Sequence, residues 1–178
     1  MVLLGCKPAG RHTEQHDVFF GIASELRDLI PDFKAFWPEA KGKLHIDGWR
    51  EVREVDGYRL QLVPREEAFS QAIKLFFINL GGYKLGEFEE FHYKMLVAAA
   101  TKAEAVQQAK QTAFFKHTGF KGGNAHIDDH YGVDVDDVVE IEEILPDAMR
   151  ALYSLQMLPA RAVVEDQLHL GYFKLSTL

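Results

Sequence analysis

Cysteine is nearly absent: Cys6 is the only one in 178 residues. A single thiol excludes an internal disulfide framework and fits a reducing compartment, so the expectation is a cytoplasmic, bacterial-type protein. Long apolar runs are missing as well. The longest, Leu75-Phe76-Phe77-Ile78 and residues 95–100, fall far short of the roughly 20 residues that span a bilayer. No membrane partner is therefore expected. Leu3-Leu4-Gly5-Cys6 has the look of a lipoprotein cleavage box. The five residues before Cys6 nevertheless cannot hold both a basic region and an apolar segment of roughly 7–15 residues. Positive charge is scarce too: 20 Lys and Arg stand against 27 Asp and Glu, a net charge of −7. That leaves no basic footprint for phosphate backbones, and nucleic acid is excluded as an expected partner. Apolar residues, by contrast, make up 47% of the chain, enough for a sizeable core and too many for a disordered or collagen-like chain.

The most informative feature is internal similarity. Leu4-Gly5, Gly10, Glu14 and His16 recur as Leu80-Gly81, Gly86, Glu90 and His92, all 76 positions later. Ala35-Phe36-Trp37 matches Ala113-Phe114-Phe115 at offset 78, and His45-Ile46-Asp47 matches His126-Ile127-Asp128 at offset 81. Glu51-Val52-x-Glu54-Val55 matches Glu140-Ile141-x-Glu143-Ile144 at offset 89, and the stretch from Tyr58 to Pro64 matches that from Tyr153 to Pro159 at offset 95. Offsets that rise steadily, with the block order kept, are those of a duplication with small insertions in the second copy. The first repeat is read as 1–64 and the second as 76–159, joined by a connector at 65–74 and followed by a tail at 160–178 that carries one more strand. Together they are expected to form one compact unit with pseudo-twofold symmetry.

Each copy opens on a short apolar run ending in glycine, which reads as a buried strand and a turn. The next run, 16–23 or 92–99, is rich in β-branched and aromatic residues and reads as a second strand. Thr101-Lys102-Ala103-Glu104 has capping-box spacing and starts a helix over about 101–116, with Ala103, Val106, Ala109 and Ala113 as its apolar stripe. In the first copy Ser24 is the expected cap of a shorter helix, broken near Ile30 by Pro31. Asp56-Gly57 between two apolar runs signals a type I′ hairpin. The unit reads strand, strand, helix, strand, strand. The fold class is therefore α+β, two tandem repeats with mainly antiparallel sheet and helices packed on one face. Exposed sheet edges leave self-association open.

The recurring polar residues are Glu14, His16, His45 and Asp47 in one copy and Glu90, His92, His126 and Asp128 in the other, where His130 extends the set. In an extended chain Glu-x-His and His-x-Asp each place two functional groups on one strand face. Histidine beside carboxylate can serve as a general base or as a ligand pair for a divalent ion. The competing reading is structural, with Asp and His satisfying backbone groups near a turn. H-x-D is far less diagnostic than H-E-x-x-H, and no metal or cofactor is assigned. The loops 5–10 and 81–86 carry glycines and a lysine but lack the Lys-Ser or Lys-Thr of a phosphate-binding loop, and turn geometry accounts for them. Cys6 has no assignable base, and Asp134-x-Asp136-Asp137 lacks the glycine and terminal glutamate of a calcium loop. The glycine-rich segment 119–124 reads as a plain solvent loop, and as the lid if a site exists.

The motifs L-G-x4-G-x3-E-x-H, H-I-D-G-W and H-I-D-D-H-Y-G-V-D-V-D-D resemble the bacterial family known as domain of unknown function 1543. The resemblance runs from residue 3 to about 175. It implies one or two domain copies per chain and carries no catalytic residue, substrate or cofactor. Two functional readings follow from the residues themselves. One is a non-catalytic module that binds a small ligand or another protein. The other is an enzyme with a His/carboxylate site, with metal-assisted hydrolysis as one chemistry open to it, which requires the polar side chains to converge.

Overall fold

Among the described residues ten strands form, in chain order: β1 (Val2–Cys6), β2 (Gln15–Phe19), β3 (His45–Trp49), β4 (Glu54–Val55), β5 (Tyr58–Pro64), β6 (Lys74–Tyr83), β7 (Glu90–Ala99), β8 (Asp134–Glu140), β9 (Tyr153–Pro159) and β10 (His169–Lys174). Four helices accompany them, α1 (Ile30–Phe36), α2 (Lys102–Thr118), α3 (Ile141–Ile144) and α4 (Asp147–Leu152). The computed structural model describes residues 1–83, 86–118, 134–160 and 165–178. The expected mixture of helices and antiparallel strands is observed, arranged as three sheets: β10-β3-β1-β2, β4-β5-β9 and β7-β6-β8.

β1 and β6 play the same part in their sheets. Each is the central strand of an antiparallel trio, hydrogen-bonded to the next strand in sequence on one side and to a later strand on the other. Alternation then divides their side chains between two faces. Val2, Leu4 and Cys6 turn toward α1 and pack with Phe19, Leu29, Phe33 and Ile46. Phe33 is fully buried and meets Phe19 edge-on at 5.1 Å. Phe76, Ile78 and Leu80 likewise face α2, where Ala105 and Ala109 are fully buried. A third cluster fills the space between the sheets, with Val18, Phe20, Leu75, Leu96, Ala98, Leu155 and Met157.

Local signals explain most of the element boundaries. The Glu104 amide hydrogen-bonds to Thr101 Oγ1 at 3.2 Å, while its carboxylate accepts from the Ala100 amide at 3.1 Å. The box thus reaches one residue further back than expected. Asp56 and Gly57 both have positive φ, 51° and 80°, as a type I′ turn requires. Asp56 Oδ2 also accepts from the Ala98 amide at 2.9 Å, tying the hairpin to β7. β5 and β9 pair antiparallel from Tyr58↔Pro159 to Pro64↔Tyr153, with Gln61 opposite Gln156. The tail strand β10 completes the first sheet along β3.

Several expectations are corrected. The first helix is preceded by a 3-10 turn at Leu26–Leu29 capped by Glu25 and Asp28 rather than by Ser24, because Asp28 Oδ2 accepts from the Glu25 amide. On α2 the buried stripe is Ala105 and Ala109, with Val106 half-buried and Ala103 exposed; Ala113 falls outside the described side chains. The Glu140-Ile141-x-Glu143-Ile144 block, matched to a strand, is largely the helical turn α3. Residues 50–53, expected to extend a strand, lie outside β4.

Candidate metal centre

The face of the first sheet turned away from α1 carries the polar set. Gly5 on β1 stands between two histidines, paired with His16 on β2 and with His45 on β3. The register of β1 with β3 skips one residue, passing from Leu3↔Gly48 to Leu4↔Ile46. Asp47 is the residue left over, and such a bulge re-aims its side chain. Its carboxylate comes to lie over Gly5: a Cβ built there would overlap Asp47 Oδ2 and His45 Nε2. The glycine expected to serve a turn is therefore part of an extended strand, and its missing side chain is the floor of the site. Gly10 and Gly86, both at positive φ, are the turn glycines.

Four functional groups meet above that floor. His45 Nε2 is 3.2 Å from both Glu14 Oε1 and Asp47 Oδ2. His16 Nε2 is 3.2 Å from Asp47 Oδ2 and 3.8 Å from Glu14 Oε2. Proximity does not become hydrogen bonding here. His45 Nε2 and Asp47 Oδ2 are both buried, and among the described residues neither has a hydrogen-bond partner. Leaving such groups unsatisfied is costly, and a native structure has to account for each one. A divalent ion bound here would satisfy both. One ligand atom each of Glu14, His16 and His45 lies within 4.8 Å of the others, and with bonds of about 2.0–2.2 Å tetrahedral ligand atoms stand about 3.3–3.6 Å apart.

The site is buried on one side and open on the other. The His45 side chain is 7% exposed, whereas His16 and Glu14 are 42% and 44% exposed. The Tyr172 ring covers His45, with centroids 4.3 Å apart. Tyr172 reaches it because β10 skips from Leu170 to Phe173 in its pairing with β3, with Gly171 at φ 143°.

A second group occupies the corresponding place in the β7-β6-β8 sheet. Gly81 pairs with His92 on one side and Asp134 on the other, and the β6–β8 register skips Asp136 just as β1–β3 skips Asp47. Ligand atoms of Glu90, His92 and Asp136 lie within 4.8 Å of one another, and His92 Nε2 is 3.3 Å from Asp136 Oδ2. The register counterpart of His45-Ile46-Asp47 is therefore Asp134-Val135-Asp136, not the 126–128 segment that sequence similarity aligns with it. His126, Asp128 and His130, like the expected lid at 119–124, lie outside the described residues.

With that geometry in view, comparison with known proteins becomes informative. Residues 11–62 match the family described as Domain of Unknown Function (DUF1543). All four groups of the first cluster fall within the matched residues. No curated protein matches the chain. Among solved structures, the crystal structure of a protein Il1583 from Idiomarina loihiensis is similar with a TM-score of 0.63. The two are 22% identical, over 97% of this chain and 93% of that one. At that identity the likeness is one of fold.

Sequence reasoning brought Glu14, His16, His45 and Asp47 forward, and they converge. Glu90 and His92 converge as well, but with Asp136, which sequence reading passed over as part of an acidic stretch. Its signal was the offset of 89 that already linked Glu51 to Glu140, for the same offset carries Asp47 onto Asp136. None of these groups lines the cavity of about 390 Å³ bounded by apolar Phe20, Leu29, Leu75 and Leu155 and by charged Arg50 and Arg53. Among the described residues no helix is long and apolar enough to cross a membrane.

Proposed function

We propose that this chain is a non-catalytic binding module whose ligand is a divalent transition-metal ion, held by Glu14, His16, His45 and Asp47. The observation that carries the reading is the buried, hydrogen-bond-free pair His45 Nε2 and Asp47 Oδ2, set among two further ligand atoms. Two imidazoles and two carboxylates suit Zn²⁺, Ni²⁺ or Co²⁺ better than Mg²⁺ or Ca²⁺, which prefer all-oxygen shells. Duplication of a domain is part of the same proposal. It is supported by the β5–β9 pairing: under the offset of 95, Gln61 faces its own counterpart Gln156, and Tyr58 faces the counterpart of Pro64.

The test is metal content of the purified, untagged protein, followed by Zn²⁺ titration after chelator treatment. Stoichiometric binding that His16→Ala weakens at least about 100-fold is expected, since a ligand should matter more than the second-shell partners whose loss costs 10–100-fold. Binding unchanged in that variant overturns the reading. The solvent-exposed side of the cluster favours a second reading, metal-assisted hydrolysis, because a water molecule has room to become the attacking ligand. Turnover of ester or phosphoester substrates by the Zn²⁺-loaded chain, absent from His16→Ala, would distinguish an enzyme from a binding module.

A further inference from the structure

Resting on the metal-binding reading of the first cluster, we infer that Glu90, His92 and Asp136 form a second, weaker cation site of harder character. Three placements recur together in the two sheets. A glycine in the central strand faces a histidine of the neighbouring strand, Gly5 with His16 and Gly81 with His92. A glutamate lies two residues before that histidine, as Glu14 and Glu90. An aspartate skipped by the third strand's register, Asp47 or Asp136, sits over the glycine, where a Cβ on Gly81 would come within 2.9 Å of Asp136 Cγ. A regular ladder requires neither the skipped residue nor the bare glycine, so their joint recurrence marks the ligand position rather than the strand.

Asn79 shares the Gly81 face of β6. Its Nδ2 lies 3.5 Å from Asp137 Oδ2, but its Oδ1 is buried and lacks a hydrogen-bond partner among the described residues. Two carboxylates and one imidazole make a donor set richer in oxygen than that of the first cluster. The register position that His45 fills in the first sheet belongs to Asp134 in this one. An oxygen-richer donor set shifts preference from Zn²⁺ toward Mn²⁺. Neither His92, 38% exposed, nor Asp136, 34%, is buried as His45 is at 7% in the first cluster, which leaves the cation competing with water and lowers affinity.

The experiment is a calorimetric Zn²⁺ titration of the full chain after chelator treatment, with a parallel Mn²⁺ titration read by electron paramagnetic resonance. Wild type, His92→Ala, Asp136→Asn and His16→Ala are compared. Wild type is expected to take two Zn²⁺ ions, the second at least about tenfold more weakly, and one Mn²⁺. His92→Ala and Asp136→Asn should each abolish the weak Zn²⁺ step and the Mn²⁺ signal while sparing the tight step. His16→Ala should do the reverse. A single step lost only in His16→Ala, or two steps that both survive His92→Ala, overturns the second site and leaves the first reading standing. No step in any protein removes both. His92 and Asp136 lie on the surface, and circular dichroism of each variant verifies that the fold is kept.

Discussion

Replacing Gly5 by alanine adds one methyl group at the centre of the first cluster, and its consequences separate a ligand site from a decorative polar patch. Gly5 is extended, not at positive φ, so alanine introduces no backbone strain. Gly in a strand interior ordinarily costs roughly 0.5–1 kcal/mol relative to alanine, and a loosely arranged patch would let the variant be neutral or slightly stabilised. The structure predicts the opposite. The new methyl would overlap Asp47 Oδ2 and His45 Nε2 and lie 2.8 Å from His45 Cε1, where ordinary contacts begin at 3.4 Å. The buried imidazole, held under Tyr172, has little room to retreat. Overpacking of this kind costs about 1–3 kcal/mol. In wild type, Zn²⁺ at 100 times Kd adds about 2.7 kcal/mol of stability, or roughly 5–11 °C in Tm for a chain of this size. Gly5→Ala should lose that increment entirely. Thermal and urea unfolding with and without Zn²⁺ measure both quantities. A variant as stable as wild type and equally stabilised by Zn²⁺ would refute the reasoning.

Two further outcomes are expected. Tyr172→Ala removes the ring that packs on His45 while leaving a 65%-exposed position on the edge strand, so Zn²⁺ affinity should fall about tenfold with Tm of the metal-free protein nearly unchanged; equal affinity would deny Tyr172 a role in orienting His45. Burial pushes the Cys6 thiol above its ordinary value, so reaction with a disulfide reagent should be slow in the native state and become fast in urea. The same shift has a sign for stability. The folded state keeps a proton that the unfolded thiol releases, so stability should decline as pH rises past the ordinary thiol range near 8.5. Native-state labelling as fast as in urea would contradict the burial.

What could be read from the chain was whatever is local. The Asp56-Gly57 turn and the Thr101 box each need only a few adjacent residues, and both form where the sequence predicts. Glu14-x-His16 and His45-x-Asp47 were legible because alternation along a strand depends only on neighbouring residues. Their meeting over Gly5 depends on strand order, which no short-range pattern encodes. The partner of His92 was missed for a different reason. Asp136 is skipped by the β6–β8 register, so it breaks the alternation that sequence reading relies on, and a nearby His-Ile-Asp string offered a closer literal match. The α2 stripe keeps Ala109 but takes in Ala105 rather than Ala103, because alanines dominate that helix and carry little periodic contrast.

The skipped aspartates also bear on how such a protein can change. A residue that no strand partner opposes is free of the pleat: its neighbours keep their pairing with β1 or β6 whatever it carries. Asp47 and Asp136 are thus positions where the chemical character of the surface can be rewritten one codon at a time, without shifting a single apolar side chain from the core face to solvent. Two sheets built alike can in this way diverge in the ions they prefer while remaining the same sheet.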